Sequence, residues 1–262
     1  MTHSTTVVTG SSGYLGSAVM SLAGETGPVL PVRRDLSVLE GLASADRVVA
    51  CHGALRDSDA SELDAANVDF TRGLLDRLSP ATPIAYASTR FGTLSTDPYG
   101  RSKRTAERLI AEHSSQALVI RFCVLAGPSP QGLGRSFITR MAHQVLNEGI
   151  LTIPDKPRPL SFLDVSQAAS ALLRLPVADS GRALVAAPRP VSSEDLAELV
   201  VETAFEVVGG RPKVIRQRFS EPEVQASARC NEWEAACQTA GLAPIAPVTT
   251  IRATFSVLAG VR

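Results

Sequence analysis

Tyr99 and Lys103 stand four residues apart in Tyr99-Gly-Arg-Ser-Lys103, a spacing that puts both side chains on one face of a helix. A phenol is a poor base at neutral pH. A neighbouring ammonium stabilises the phenolate and is expected to draw its pKa down, so the pair can pass a proton to or from a substrate oxygen. Ser88-Thr89 closes the apolar run Pro83–Ala87, where a hydroxyl can hydrogen-bond and polarise a reacting carbonyl. Near the N-terminus, Thr9-Gly10-Ser11-Ser12-Gly13-Tyr14-Leu15-Gly16 follows an apolar β-branched run. In such a turn Gly10 permits the change of direction, Gly13 lets a pyrophosphate approach, and Gly16 lets the following helix pack on the strand. The N–H groups around Ser12, Gly13, Tyr14 and Leu15 then face the phosphates.

Selectivity between dinucleotides is set at the end of the second strand, expected near Arg33-Arg34-Asp35. A carboxylate there binds a ribose 2′-hydroxyl, whereas a guanidinium favours a 2′-phosphate. Arg33 and Arg34 together favour NADP(H), and Asp35 keeps NAD(H) open. Asn67 begins a helical run and serves either as an N-cap or as a support for helix geometry near the lysine.

Elements able to position these groups can be read from the hydrophobic pattern. Strands are expected at Thr5–Thr9, Pro28–Val32, Arg47–Cys51, Pro83–Ala87 and Leu118–Val124, with helices at Tyr14–Ala23, Ala60–Leu78 and Tyr99–Glu112. The alternation implies an α/β fold, a doubly wound parallel sheet of Rossmann-like type. Asp35–Ala45 is too short for a further helix and strand, so one strand common in such sheets is expected to be missing. After Gly127-Pro-Ser-Pro-Gln-Gly-Leu-Gly134 the strands shorten (Leu151–Ile153, Arg182–Ala186, Lys213–Arg218) and helices are expected at Ser136–Asn147 and Ser193–Val207. The division is therefore a dinucleotide-binding domain over 1–128, with 160–187 returning to it, and a smaller C-terminal substrate-binding lobe over 129–262.

Lysine plus arginine and aspartate plus glutamate both number 26, so no net charge points to a nucleic-acid or membrane partner. No apolar run reaches transmembrane length and the N-terminus lacks a signal-peptide layout, so a cytoplasmic protein is expected. Cys51, Cys123, Cys230 and Cys237 form no paired motif and are read as reduced thiols. The four histidines show no metal-ligand spacing, and no metal is expected.

Taken together, these residues resemble the short-chain dehydrogenase/reductase superfamily. More narrowly, the chain resembles its extended branch, the NAD-dependent epimerase/dehydratase-like proteins. The likeness runs from about Val7 to Asp164. Besides Thr9–Gly16 and Tyr99–Lys103, it rests on Asn67-Val-Asp-Phe-Thr71, Ser88-Thr89, Arg121 with Gly127-Pro128, and Arg158-Pro-Leu-Ser-Phe-Leu-Asp164. The resemblance implies a catalytic triad of Thr89 (Ser88 as second choice), Tyr99 and Lys103, with Lys103 also holding the nicotinamide ribose. It implies cofactor contacts at Gly10, Gly13, Gly16 and Arg34. The expected activity is NADP(H)-dependent interconversion of a carbonyl and a secondary alcohol on a small or sugar-like substrate. A nucleotide-sugar epimerase with tightly bound cofactor and a non-catalytic dinucleotide sensor are the alternatives. Arg90-Phe91 stands where dehydratase members carry Asp-Glu, which speaks against a 4,6-dehydratase. Cys123-Val124-Leu125-Ala126 lacks the asparagine that many members set beside a nucleotide sugar. The family often pairs through helices like those at Ala60–Leu78 and Tyr99–Glu112, so the resemblance also implies a homodimer.

Overall fold

The structure, a computed structural model, describes residues 5–33, 42, 45–90, 97–177, 182–218 and 230–260. Its first half runs β1 (Thr6–Thr9), α1 (Tyr14–Gly24), β2 (Val29–Val32), β3 (Arg47–Ala50), α2 (Ala60–Asp64), a π turn (Ala65–Asp69), α3 (Phe70–Leu75), β4 (Ile84–Thr89), α4 (Pro98–His113) and β5 (Ala117–Phe122). The second half continues with β6 (Val124–Ala126), β7 (Pro128–Ser129), β8 (Gly132–Leu133), α5 (Phe137–Glu148), β9 (Ile150–Pro154), β10 (Pro159–Leu160), β11 (Phe162–Asp164), α6 (Val165–Arg174) and β12 (Arg182–Ala186). It closes with β13 (Val191–Ser192), α7 (Ser193–Val208), β14 (Lys213–Gln217), α8 (Cys230–Thr239) and α9 (Pro247–Ala259).

Six strands form the central sheet in the order β12-β5-β4-β3-β1-β2, and every pair is parallel. Strands covered on both faces read as continuous apolar runs, as Val7-Val8 and Val48-Val49 do. All four of these valines are fully buried. On one face, Val8, Val49, Leu118 and Ile120 pack with α1, α6 and Trp233 of α8. On the other, Val7, Val48, Ile84 and Tyr86 pack with Leu74 and Leu75 of α3 and with Ala106 and Ile110 of α4. A third core joins α5, β9, α7 and α9 through Ile138, Leu151, Val200 and Phe255. This is the smaller lobe. Beyond β2 no further strand pairs among the described residues; the segment Asp35–Ala45 lies outside them except for Leu42 and Ala45.

The expected doubly wound sheet is present, and its strands lie within a few residues of their sequence-derived positions. Three features differ, one of them helix α9, which the sequence pattern did not reveal. The helix expected over Ala60–Leu78 is interrupted by the π turn that holds Asn67. Helix α8, which the sequence pattern did not reveal, lays Trp233 and Cys237 against the main sheet.

Parallel strands end together, and the ends of β1, β3 and β4 bring Thr9, Cys51 and Thr89 to one edge of the sheet. The glycine turn follows β1. Gly10 adopts φ +64°, and a Cβ there would lie 2.8 Å from the backbone of Cys51. A Cβ on Gly16 would lie 2.0 Å from the carbonyl oxygen of Gly10. Helix α1 can therefore leave the loop at this angle only because Gly16 has no side chain. Gly16→Ala is expected to cost about 1–3 kcal/mol, as overpacking does, and to weaken dinucleotide binding; chemical denaturation and a nicotinamide titration check both.

Candidate active site

Helix α4 begins because Asp97 accepts a hydrogen bond from the N–H of Gly100 at 2.7 Å and Pro98 occupies the first turn. This start places Tyr99 in the first turn and Lys103 one turn on. Burial drives the pKa of the Tyr99 phenol up, partly countered by a hydrogen bond with Thr89 and by the charge of Arg56, while Asp97 raises it further. The expected downward shift is thus not present in this structure. Desolvation outweighs the favourable charges, and the lysine ammonium is engaged elsewhere.

Lys103 is 5% exposed. Its Nζ donates to the carbonyl of His52 at 3.1 Å, the hydroxyl of Tyr86 at 3.2 Å and the carbonyl of Ala87 at 3.4 Å. Burial brings its pKa down to about 8, with the thiol of Cys51 and the carboxylate of Glu107 opposing the fall.

Ser88 and Thr89 are neighbours in a strand and so point to opposite faces of the sheet. The hydroxyl of Ser88 donates to Glu107, which Arg121 grips through Nη2 at 2.6 Å and Nε at 3.0 Å. Thr89 meets Tyr99. The structure therefore joins Thr89 to the tyrosine and commits Ser88 to a largely buried ion pair.

A buried chain of hydrogen bonds, centred on His52, connects the glycine loop to the tyrosine. Thr71 donates to the carbonyl of Asn67 at 2.5 Å, so its oxygen must accept from Nε2 of His52 at 2.9 Å. Nδ1 of His52 is then an acceptor and takes the hydroxyl proton of Thr9 at 2.7 Å. Asn67 donates through Nδ2 to Ser102 at 3.0 Å, and Ser102 donates to the carbonyl of Tyr99 at 3.0 Å. Thr9, His52, Asn67, Thr71 and Ser102 are all buried. Buried polar networks of this kind hold geometry because each broken link leaves an unpaired group. Asn67 belongs to this network rather than to a helix cap, which is the second of its two expected roles.

A cleft of about 460 Å³ lies beside this network, lined by Gly10, Ser12, Gly13, Arg33, Cys51, His52, Gly53, Glu62, Ala65, Ala66 and Phe70. Four of the residues expected to hold a dinucleotide are among them. Tyr14 instead packs its ring against Gly134 and donates its hydroxyl to the carbonyl of Gly127 at 2.5 Å. Leu15 packs against the core and Gly16 sits under the loop. Arg34 lies outside the described residues. Sequence reasoning missed His52, Gly53 and Tyr86, which bear on the lysine without belonging to a spaced motif.

Gly53 ties the cleft to the reactive residues. A Cβ there would lie 2.8 Å from Nζ of Lys103 and 2.6 Å from Oδ1 of Asn67, and that Oδ1 is buried with no hydrogen-bond partner. The bare glycines and the orphaned acceptor beside a lysine fit a nicotinamide dinucleotide laid from the loop to Lys103. A second cleft, about 790 Å³, opens toward the smaller lobe. Its charged lining consists of Arg56, Arg135, Arg140, His143, Arg158 and Glu148.

Residues 78–186 match the NAD dependent epimerase/dehydratase family, a span that contains Thr89, Tyr99 and Lys103. No curated protein sequence matches the chain. Among solved structures, RMD from Pseudomonas aeruginosa complexed with NADPH is similar, with a TM-score of 0.71 and 20% identity over 97% of this chain and 98% of that one. MoeE5 in complex with UDP-glucose and NAD gives 0.72 at 19% identity, covering 97% and 98%. The UDP-glucuronic acid 4-epimerase from Bacillus cereus, in complex with UDP-glucuronic acid and NAD, gives 0.72 at 15% identity, covering 98% and 100%. At these identities the likeness establishes the Rossmann-like fold. Among the described residues, no helix is long and apolar enough to cross a membrane.

The epimerase/dehydratase segment meets the glycine loop through His52, whose environment holds its pKa down at about 3, by burial first and the charge of Lys103 second. Between about 6.5 and 3 the unfolded chain therefore binds a proton that the folded protein refuses, and stability falls with falling pH across that window. The expected slope from this group is about 1.4 kcal/mol per pH unit. His52→Gln, which keeps a donor toward Thr71, is expected to flatten the acid limb of a stability-against-pH curve measured by urea unfolding.

Proposed function

We propose that the protein is an NADP(H)-dependent oxidoreductase that interconverts a carbonyl and a secondary alcohol. The observation that carries this reading is the position of Gly53, at once a wall of the dinucleotide cleft and the contact point of Lys103 and Asn67. The bound nicotinamide would supply or accept the hydride. Arg33, exposed and lining the cleft directly after β2, supports this reading, since a guanidinium there would pair with a 2′-phosphate. Gly10, Ser12 and Gly13 receive the pyrophosphate, and Lys103 meets the nicotinamide ribose.

In the reductive direction Thr89 orients the carbonyl oxygen and Tyr99 donates the proton to it. The phenol raised by burial is fully protonated at neutral pH, which suits a proton donor. An ammonium brought close in the loaded enzyme would stabilise the phenolate that remains. Substrate enters from the lobe cleft, whose arginines outnumber its single acid and favour a substrate bearing an anionic group. That same cleft supports a second reading, a nucleotide-sugar epimerase that uses the hydride transfer transiently with no net redox change. The buried Arg90 after Thr89 speaks against dehydration.

Tyr99→Phe is expected to lower turnover by about 10²–10⁴-fold, the usual range for loss of a general acid, while the dinucleotide still binds. Undiminished turnover would remove Tyr99 from the mechanism. Arg33→Ala is expected to weaken NADPH about tenfold or more and leave NADH within about twofold, since one charge-assisted bond is worth at least about 1.4 kcal/mol. Equal losses would assign selectivity elsewhere.

A further inference from the structure

The ammonium of Lys103 has three N–H donors, and three protein acceptors take them: the carbonyls of His52 and Ala87 and the hydroxyl of Tyr86. The Nζ also stands 5.0 Å from the centroid of the Tyr86 ring, within cation–π range. Its donor capacity is filled by the protein itself. A ribose hydroxyl can accept from this lysine only if one of the three bonds is released. The two carbonyls belong to the backbone, just beyond β3 and within β4, and are fixed there. Tyr86 is the one side-chain partner.

There is also an acceptor for the lysine to turn to. Nζ already lies against Gly53, where a Cβ would stand 2.8 Å from it, and the unpartnered Oδ1 of Asn67 borders the same point at 2.6 Å. An acceptor buried without a donor is costly, and it lies on the side of the dinucleotide cleft. We propose that Tyr86 is a positioning residue that parks Lys103 against the sheet, and that dinucleotide binding draws the ammonium off the Tyr86 hydroxyl toward Asn67 and the ribose. The inference rests on the oxidoreductase reading for what is bound, but not for the parked geometry itself.

Tyr86→Phe tests it, because the ring and its packing stay while the acceptor is lost. The parked state is weakened more than the loaded one, so NADPH or NADH should bind about three- to tenfold tighter, the effect of one hydrogen bond. A purely structural tyrosine would give unchanged or weaker binding, and that result overturns the proposal.

A second readout needs no cofactor. The chain has only three lysines, Lys103, Lys156 and Lys213, and the latter two are exposed. Nuclear magnetic resonance of protein labelled at lysine Cε therefore resolves Lys103 as the one buried signal. Cys51, His52, Tyr86, Tyr99 and Glu107 are the titratable groups around it. Against that common background, loss of the Tyr86 acceptor should lower the Lys103 titration midpoint, and an unchanged midpoint overturns the proposal. In the wild-type protein, saturating dinucleotide should move the Lys103 signal; a stationary signal contradicts the exchange. If neither NADPH nor NADH binds, the oxidoreductase reading fails on its own, and the ligand-free titration still decides whether Tyr86 holds the lysine.

Discussion

A lysine ammonium buried between two strand ends is the constraint around which this site is arranged. Taking a cation out of water is costly unless its donors are all met. Here they are met by the carbonyls of His52, just beyond β3, and Ala87, within β4, and by a tyrosine from β4. Parallel strands end together at one edge only. The cation therefore fixes which edge carries the chemistry, and helix α4 must run past that edge at a set height. Asp97 and Pro98 set the height by starting the helix, and the ion pair of Glu107 with Arg121 secures it one turn beyond the lysine.

The same edge meets the glycine loop, and the two are linked by the buried hydrogen bonds that run from Thr9 through His52, Thr71 and Asn67 to Ser102. The network has a single consistent direction, because the Thr71 proton is already committed to a backbone carbonyl. His52 is thereby held as one tautomer and kept neutral. The loop that would receive the phosphates and the helix that carries the phenol are thus parts of one rigid unit. Toward the third core, Tyr14 reaches the carbonyl of Gly127 and Asp164 accepts from Thr250 at 2.8 Å.

Much of this was legible in the sequence. Glycine at fixed intervals and a tyrosine–lysine pair at helical spacing are local signals, since backbone sterics and helix geometry act over a few residues. The parallel sheet was legible for the same reason, through runs such as Val48-Val49. The network at His52 was not, because its members come from four separate segments and none has a distinctive spacing. The choice between Ser88 and Thr89 depended on where Glu107 lies, nineteen positions after Ser88. The phenol's raised pKa was likewise unreadable: sequence shows that a lysine is near, but not that the sheet already claims its protons. Helix α8 escaped notice because its buried face amounts to Trp233 and Cys237, too few apolar residues for a clear period.

The central claim is that the loop, the His52 network and Lys103 form one dinucleotide site. Titration of the purified protein with NADPH and with NADH, followed by nicotinamide fluorescence, tests it most directly, with an absorbance scan of the same sample to detect cofactor already bound. The account predicts saturable binding with preference for NADPH. Failure of both to bind a cofactor-free sample would contradict it.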